Sequence, residues 1–212
     1  MKLKVCGMKY LENIQQVAAL QPDYLGFIFY EKSKRNFDGD MPSLPDNIKR
    51  VGVFVNASLT TILEKVKRYK LNVLQLHGDE TPEFCDLLKI EMIKSRQNIC
   101  ELVKVFSVGN NFDFSLLKPY EDLVDYFLFD TKGKEKGGNG VVFNWQLLEK
   151  YSSQKPYFLS GGIGLEEIDN LKSFREIEAF KYCYALDVNS RFEDSPGLKN
   201  IEKLKEFKSR LL

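Results

Sequence analysis

Two residues of this sequence, Cys6 and Asp130, are candidates for proton-transfer chemistry. Cys6 ends the apolar run Leu3–Cys6, and Asp130 directly follows the apolar run Tyr126–Phe129. A thiolate is a competent base when nearby positive charge lowers its pKa from about 8.5, and desolvation raises the pKa of a carboxyl group so that it holds a proton. The two could therefore act as general base and general acid. Position alone leaves open an inert buried cysteine and an aspartate that caps the following loop.

A second group of residues suits the binding of an anion. Ser160–Gly162 has little side-chain bulk, so its backbone N–H groups can approach an anion closely. A helix predicted over Leu165–Phe174 would add the positive end of its dipole. Asn189 and Ser190 follow a later apolar run and can donate from the opposite side. The alternative for the glycine pair is a tight turn that binds nothing.

Eight short apolar runs, each followed by a longer amphipathic stretch, must position these residues. They are Leu3–Cys6, Tyr24–Phe29, Val51–Val55, Val73–Leu76, Leu102–Phe106, Tyr126–Phe129, Tyr157–Leu159 and Tyr182–Val188. Their composition, without strict alternation, favours strands buried on both faces of a parallel sheet. A doubly wound sheet of this length would use fewer strands, usually about five to seven. We therefore predict an α/β fold, a (β/α)₈ TIM barrel, whose active site lies where the strands end.

Three of the intervening stretches carry apolar residues at helical spacing. They are Thr61–Tyr69, Leu165–Phe174 and Ile201–Leu211, and each predicts a helix that packs on the barrel. The stretch from Glu83 to Cys100 is compatible with one long helix or with a helix and an irregular turn. Trp145 lies in an apolar segment that predicts packing and not ligand stacking.

The composition narrows the function classes. The 212 residues include 31 Lys+Arg and 30 Asp+Glu, a formal charge of +1, so no global field favours nucleic acid or a membrane. We expect one domain over residues 1–212. Four cysteines form no C-x-x-C pair, and the single histidine, His77, argues against a zinc site or a Ser-His-Asp triad. The sequence has no signal-peptide core and no apolar run near the roughly 20 residues that span a bilayer, so we expect a reduced, cytoplasmic protein.

Short motifs in a fixed order resemble those of one family. They are Val5–Met8, Gly26–Phe29 with Ser33–Arg35, Val51–Phe54, Leu74–Glu80, Phe129–Thr131, Gly137–Gly140, Ser160–Ile163, and Asp187–Ser190 with Pro196–Lys199. Together they are similar to the N-(5′-phosphoribosyl)anthranilate isomerases of tryptophan biosynthesis. The resemblance runs from Lys4 to about Asn200. Any one motif is weak, whereas eight in the correct order are specific.

The resemblance implies an isomerase that carries out an Amadori rearrangement without a metal or an organic cofactor. It implies that Asp130 protonates the furanose ring oxygen as general acid. Cys6, as general base, then removes the proton from C2′ of the opened sugar. Arg35 matches the family's arginine for the anthranilate carboxylate, a fork-shaped donor for a planar acceptor.

The resemblance also implies a set of binding residues. Gly161, Gly162, Asn189 and Ser190 match the family's phosphate-binding positions, and Asp187 matches a position near the sugar hydroxyls. The expected partner is a small phosphorylated sugar substrate, with no nucleic acid and no membrane, and the expected state is a monomer.

The chain departs from the family pattern in two places. Arg191 and Phe192 replace a Gly-Val pair after the eighth run, and Arg191 is expected to point to solvent, although a phosphate contact is the alternative. The second loop reads Ser33–Arg35 where Ser-Pro-Arg is commoner. Residues 132–140 are rich in glycine and charge and predict a mobile lid or a solvated surface loop. His77 is expected to line the site as a hydrogen-bonded structural residue.

Two kinds of rival remain. Indole-glycerol-phosphate synthases and pentose-phosphate epimerases are also phosphate-binding barrels, but the first need a catalytic lysine on an early strand and a longer N-terminal extension. The second need metal-binding histidines, which a single histidine cannot supply. A barrel that binds a phosphorylated metabolite without turnover is the rival of a different class.

Overall fold

The computed structural model describes residues 1–95, 99–131 and 144–211 and contains a closed barrel of eight parallel strands. The strands are β1 (Lys2–Val5), β2 (Tyr24–Phe29), β3 (Lys49–Phe54), β4 (Val73–Leu76), β5 (Glu101–Val108), β6 (Tyr126–Thr131), β7 (Tyr157–Leu159) and β8 (Cys183–Val188). Each strand pairs with the next along the chain, and β8 closes the barrel against β1. The predicted TIM barrel is confirmed, and all eight apolar runs correspond to strands.

The barrel is filled by two separate layers of apolar side chains. The inner layer consists mainly of valine and aromatic residues from the strands, and Cys6 belongs to it. The outer layer packs the strands against the helices. Because a parallel barrel buries both faces of every strand, the sequence shows continuous apolar runs where an antiparallel sheet would alternate.

Five α-helices surround the strands among the described residues. They are α1 (Leu11–Ala19), α2 (Leu59–Tyr69), α3 (Pro82–Lys94), α4 (Ile168–Phe174) and α5 (Ile201–Leu211). Ser58 and Thr81 accept hydrogen bonds from backbone N–H groups in the first turns of α2 and α3, as N-cap residues do. The helices predicted from Thr61 and from Ile201 are confirmed. The long-helix alternative for Glu83–Cys100 is wrong, because α3 ends at Lys94.

The expectation of a long amphipathic stretch after every strand is wrong in several connections. Residues 30–48 between β2 and β3 form no helix, since Gly39, Pro42 and Pro45 interrupt any helical hydrogen-bond pattern. Short 3₁₀ helices stand elsewhere, at Phe114–Tyr120, Trp145–Lys150, Leu165–Glu167, Glu178–Tyr182 and Ser190–Phe192. Trp145 itself is buried and its ring packs 5.8 Å from that of Phe174, as expected.

A small antiparallel hairpin follows β8. Its strands are β9 (Glu193–Ser195) and β10 (Leu198–Lys199), and Lys199 pairs with Glu193 across it. Gly197 in the turn has a φ of 87°, which glycine adopts without strain. The hairpin thus places the charged side chains of Glu193 and Lys199 opposite each other, beside the end of β8.

Two further predictions concern residues that the structure describes. All four cysteines are among them, and each is buried without forming a disulfide bond. Within the same residues, no helix is both long and apolar enough to cross a bilayer. The predicted lid at residues 132–140 lies outside the described residues.

Candidate active site

A cavity of about 690 Å³ opens at the carboxyl ends of the barrel strands. All the residues expected to form the site line it: Cys6, Arg35, Asp130, Gly161, Gly162, Asp187, Asn189 and Ser190. They come from the ends of β1, β6, β7 and β8 and from the segment after β2. The closed barrel therefore brings together side chains that are far apart in the sequence, as the strand-end rule predicts.

Cys6 lies directly after β1 and is 4% exposed. Its backbone N–H donates to the carbonyl of Val188, 2.9 Å away, which holds the residue against the end of β8. Gly26 makes room for the thiol, because a Cβ there would lie 2.7 Å from Sγ. Burial raises the pKa of the Cys6 thiol, and the positive charges of Lys4 and Lys199 oppose that rise. The free protein therefore holds a thiol whose thiolate form has two cations to stabilise it.

Lys4 and Asp187 form an ion pair inside the barrel. The Nζ–Oδ2 distance is 2.8 Å, and the two side chains are 1% and 5% exposed. Burial acts against the charge on Lys4, but Asp187 and Cys6 outweigh it and raise the pKa of the ammonium. Burial also raises the pKa of Asp187, despite the neighbouring ammonium. The second oxygen, Oδ1, is buried without a hydrogen bond from any described residue, so it can accept one from a ligand.

Asp130 lies near the end of β6 and is 7% exposed. Its Oδ1 accepts from the backbone N–H of Thr131 at 3.0 Å, and its Oδ2 lies 3.4 Å from Nε2 of His77. The other ring nitrogen, Nδ1, lies 3.2 Å from Nε2 of Gln75. His77 lines the cavity as expected, yet it also faces the predicted general acid.

Arg35 borders the cavity from the segment after β2, and its guanidinium is held by Glu193. Nε of Arg35 lies 2.9 and 3.0 Å from the two carboxylate oxygens, and Nη2 lies 2.7 Å from Oε2. Arg35 is 16% exposed and Glu193 only 4%. Arg35 thus lines the cavity as predicted, but the sequence of its loop does not predict the ion pair with Glu193.

Two consecutive glycines shape the loop after β7. Gly161 and Gly162 have φ angles of 89° and 71°, a conformation that other residues adopt only with strain. Across the cavity, Asn189 turns the chain after β8 and Ser190 opens a 3₁₀ turn. The α-helix predicted to begin at Leu165 is wrong in its start, because that residue opens a 3₁₀ turn and α4 follows only at Ile168.

Arg191 lies at the rim of the cavity. Its side chain is 44% exposed, and its Nη1 lies 3.2 Å from Oε1 of Glu166 on the loop after β7. Arg191 therefore points partly to solvent, as predicted, and also forms an ion pair with Glu166 across the rim of the cavity. Surface pairs of this kind contribute little to stability, at most about 1 kcal/mol.

The sequence motifs give no separate role to Lys4, Gln75, Glu193 or Lys199, although Gln75 belongs to the motif Leu74–Glu80. Lys4 and Gln75 did carry a signal, since each is a polar residue inside a run expected to be buried on both faces. Buried polar groups need partners, so such residues mark a polar contact in the barrel. Glu193 carries no local signal of its burial, and Lys199 is marked only as the last residue of the motif Pro196–Lys199, because the burial of both depends on how the hairpin folds back on the barrel.

Comparison with known proteins identifies the family. A profile described as N-(5′-phosphoribosyl)anthranilate (PRA) isomerase matches residues 3–210. The chain belongs to the N-(5′-phosphoribosyl)anthranilate isomerase family. The family isomerase of Parabacteroides distasonis is 42% identical over 100% of this chain and 94% of its own, and that of Phocaeicola vulgatus is 37% identical over 100% and 98%.

Solved structures of family isomerases have the same barrel. The Thermotoga maritima phosphoribosyl anthranilate isomerase superposes with a TM-score of 0.80 at 31% identity and covers 99% of this chain and 98% of its own. A phosphoribosyl anthranilate isomerase in complex with reduced 1-(o-carboxyphenylamino)-1-deoxyribulose 5-phosphate gives a TM-score of 0.77 at 29% identity, covering 99% and 97%. The resemblance stated from the ordered motifs is confirmed.

Proposed function

We propose that this isomerase converts N-(5′-phosphoribosyl)anthranilate to 1-(o-carboxyphenylamino)-1-deoxyribulose 5-phosphate, in tryptophan biosynthesis, with Cys6 as general base and Asp130 as general acid. The observation that carries the proposal is the single cavity in which a family barrel collects the thiol, the carboxyl group and the anion-binding loops. The reaction needs one acid, one base and two anchors for anionic groups.

Asp130 begins the reaction by giving its proton to the furanose ring oxygen. The bond between C1′ and that oxygen breaks, and the electron pair of the anilino nitrogen forms the C1′–N double bond of a protonated Schiff base. The position of Asp130 suits this step, since its side chain lines the cavity near the end of β6. Once the ring is open, the carboxylate left behind faces His77.

Cys6 completes the rearrangement by removing the proton from C2′. The adjacent protonated Schiff base acidifies this C–H bond, because the electrons released on its cleavage move toward the positively charged nitrogen. The product is an enolamine, which tautomerises to the ketone. Lys4 and Lys199 stabilise the thiolate form that the step requires.

The two ends of the substrate are anchored on opposite sides of the cavity. The phosphate binds the loop at Gly161 and Gly162 from one side and Asn189 and Ser190 from the other. The anthranilate carboxylate meets Arg35. The free Oδ1 of Asp187 accepts a hydrogen bond from a sugar hydroxyl between them.

A turnover assay tests this function directly. Purified protein is incubated with freshly prepared N-(5′-phosphoribosyl)anthranilate, and loss of the substrate's fluorescence is followed with time. Enzyme-dependent loss supports the isomerase, and growth of a tryptophan auxotroph that lacks this step supports it independently. Tight binding of the substrate without turnover would instead show a barrel that only binds a phosphorylated metabolite.

The oligomeric state and the location are also proposals. We infer a monomer, although the Thermotoga maritima relative is described as dimeric, with monomers generated from it. Light scattering that gives the mass of two chains would overturn the monomer. Four buried cysteines that form no disulfide bond agree with a reducing cytoplasm.

A further inference from the structure

Glu193 lies at the centre of a buried charge cluster behind Arg35. Besides its contacts to Arg35, its Oε1 accepts from Nζ of Lys199 at 2.6 Å and from the backbone N–H of Gly197 at 3.1 Å. The side chain of Lys199 is 0% exposed. Burying three charges is costly unless each is paired and hydrogen-bonded, so a cluster of this kind needs a reason beyond stability.

The contacts of Glu193 leave one particular edge of the guanidinium open. An arginine has five N–H donors, and a carboxylate can meet it side-on, at Nε and Nη2, or end-on, at Nη1 and Nη2. Glu193 occupies the side-on edge. No described residue accepts a hydrogen bond from Nη1, and Arg35 borders the cavity. The end-on edge is therefore free for a second carboxylate.

The cluster also keeps a positive charge at this edge. Paired with Glu193 alone, Arg35 would be electrically neutralised and would attract a substrate carboxylate weakly. Lys199 adds a second positive charge against the single negative one, which leaves a net charge of +1 on the three side chains. Because the cluster is buried, little solvent screens that charge.

Lys199 connects this cluster to the other end of the cavity. Its Nζ also donates to Oδ1 of Asn189 at 2.7 Å. Asn189 is one of the residues assigned to the phosphate. A change at Lys199 is thus expected to affect both substrate anchors, whereas Glu193 contacts the arginine directly and the phosphate side only through Lys199.

We propose that Glu193 is a positioning residue that selects the aromatic carboxylate of the substrate by holding Arg35 with its end-on edge toward the cavity, and that Lys199 supplies the charge which keeps this edge attractive. The inference rests on the proposed function, since it names the device by which the proposed carboxylate anchor is built. It assigns no proton transfer to either residue.

The test separates the two ends of the substrate. In Glu193→Gln, we expect KM for N-(5′-phosphoribosyl)anthranilate to rise about tenfold and kcat to stay within about twofold, the pattern for lost binding that is equal in ground and transition states. Inhibition by ribose 5-phosphate, which lacks the aromatic carboxylate, should keep its Ki. Glu193→Asp retains the charge with a shorter reach and should raise KM less, by about threefold.

Two controls make the result specific. Asp194→Asn removes the same charge from the neighbouring, exposed position of β9 and should leave KM unchanged. Combining Glu193→Gln with Arg35→Ala tests whether glutamate acts through the arginine, since residues that act as one unit give non-additive effects. In the Arg35→Ala background, Glu193→Gln should therefore raise KM no further.

The outcomes distinguish this proposal from the proposed function. Absence of turnover in the unmodified protein would show that the proposed function itself is wrong. Normal turnover with an unchanged KM in Glu193→Gln would overturn the positioning role alone. A loss of affinity for ribose 5-phosphate as large as the rise in KM would also overturn it, because the loop as a whole would then have moved.

Discussion

Nε2 of His77 lies 3.4 Å from Oδ2 of Asp130, and Gln75 reaches the other nitrogen of the same ring. When the amide nitrogen of Gln75 donates to Nδ1, the ring proton is on Nε2, which lies nearest the carboxylate but makes no hydrogen bond to a described residue. In the proposed mechanism, that tautomer can donate to Asp130 once the carboxyl group has given up its proton. We therefore expect the histidine to act on the ionised carboxylate that follows the proposed ring opening.

Replacing His77 should slow catalysis without weakening substrate binding. In His77→Asn we expect kcat to fall about tenfold, the size of one lost hydrogen bond to a charged group. KM should change less than about twofold, because the contact forms only as charge develops on Asp130. Steady-state kinetics measure both. In an Asp130→Asn background the histidine has no carboxylate to stabilise, so a further tenfold loss there would contradict this role.

Cys6→Ala should remove proton abstraction from C2′ while the substrate still binds. We expect kcat to fall by about 10²–10⁴, the usual contribution of a positioned base. Substrate carrying deuterium at C2′ provides the decisive measurement. A slower rate with deuterium that is as large or larger in the residual turnover of the variant agrees with Cys6 as the base, because its loss makes cleavage of the C2′–H bond more rate-limiting. If Cys6→Ala kept near wild-type kcat, the assignment would be wrong.

The strands and their ends were predictable because the pattern that marks them is local. A strand buried on both faces, such as β2, must be mostly apolar, and side chains at the carboxyl ends of such strands lie beside the cavity. This logic placed Cys6 and Asp130 correctly at the barrel mouth. It failed for the connections, where prolines such as Pro42 and Pro119 replaced helices with irregular or 3₁₀ segments.

The charge cluster was not predictable, because its contacts span the chain. Arg35 and Glu193 are 158 positions apart, and no periodicity relates them. The motifs identify the arginine but not the carboxylate that pairs with it. Lys4 shows the intermediate case, since its position within an apolar run marks it as buried and paired, while only the closure of β1 on β8 identifies Asp187 as the partner.

The affinity for the aromatic carboxylate should depend on pH through Lys199. Burial lowers the pKa of its ammonium to about 8, although the negative charges of Glu193 and Cys6 oppose the shift and Arg35 adds to it. The ammonium is charged below pH 8 and loses its charge as pH rises through that value. The cluster then becomes neutral, and KM should rise between pH 7 and pH 9.

The measurement is KM across this window, in which a phosphate monoester, with a second pKa of about 6, is already a dianion. Glu193→Gln removes the negative charge that raises the pKa of Lys199, so this pKa should fall further. The rise in KM should then occur at lower pH. A KM that stays level from pH 7 to pH 9 in the unmodified enzyme would show that the charge of Lys199 does not act on the substrate.

Gly161→Ala should weaken the phosphate site through backbone strain. The residue has a φ of 89°, and a Cβ there would lie 2.8 Å from Cβ of Thr131 and closer still to its N and Oγ1. Relief requires the loop to move away from β6, at a cost of about 1–3 kcal/mol for the unfavourable conformation. The Ki for ribose 5-phosphate should therefore rise about tenfold, since 1.4 kcal/mol corresponds to that factor. Gly39→Ala is the matched control, because its Cβ would meet only Cε2 of Phe37, at 3.8 Å. Equal effects of the two substitutions on Ki would show that the conformation of Gly161 does not shape the site.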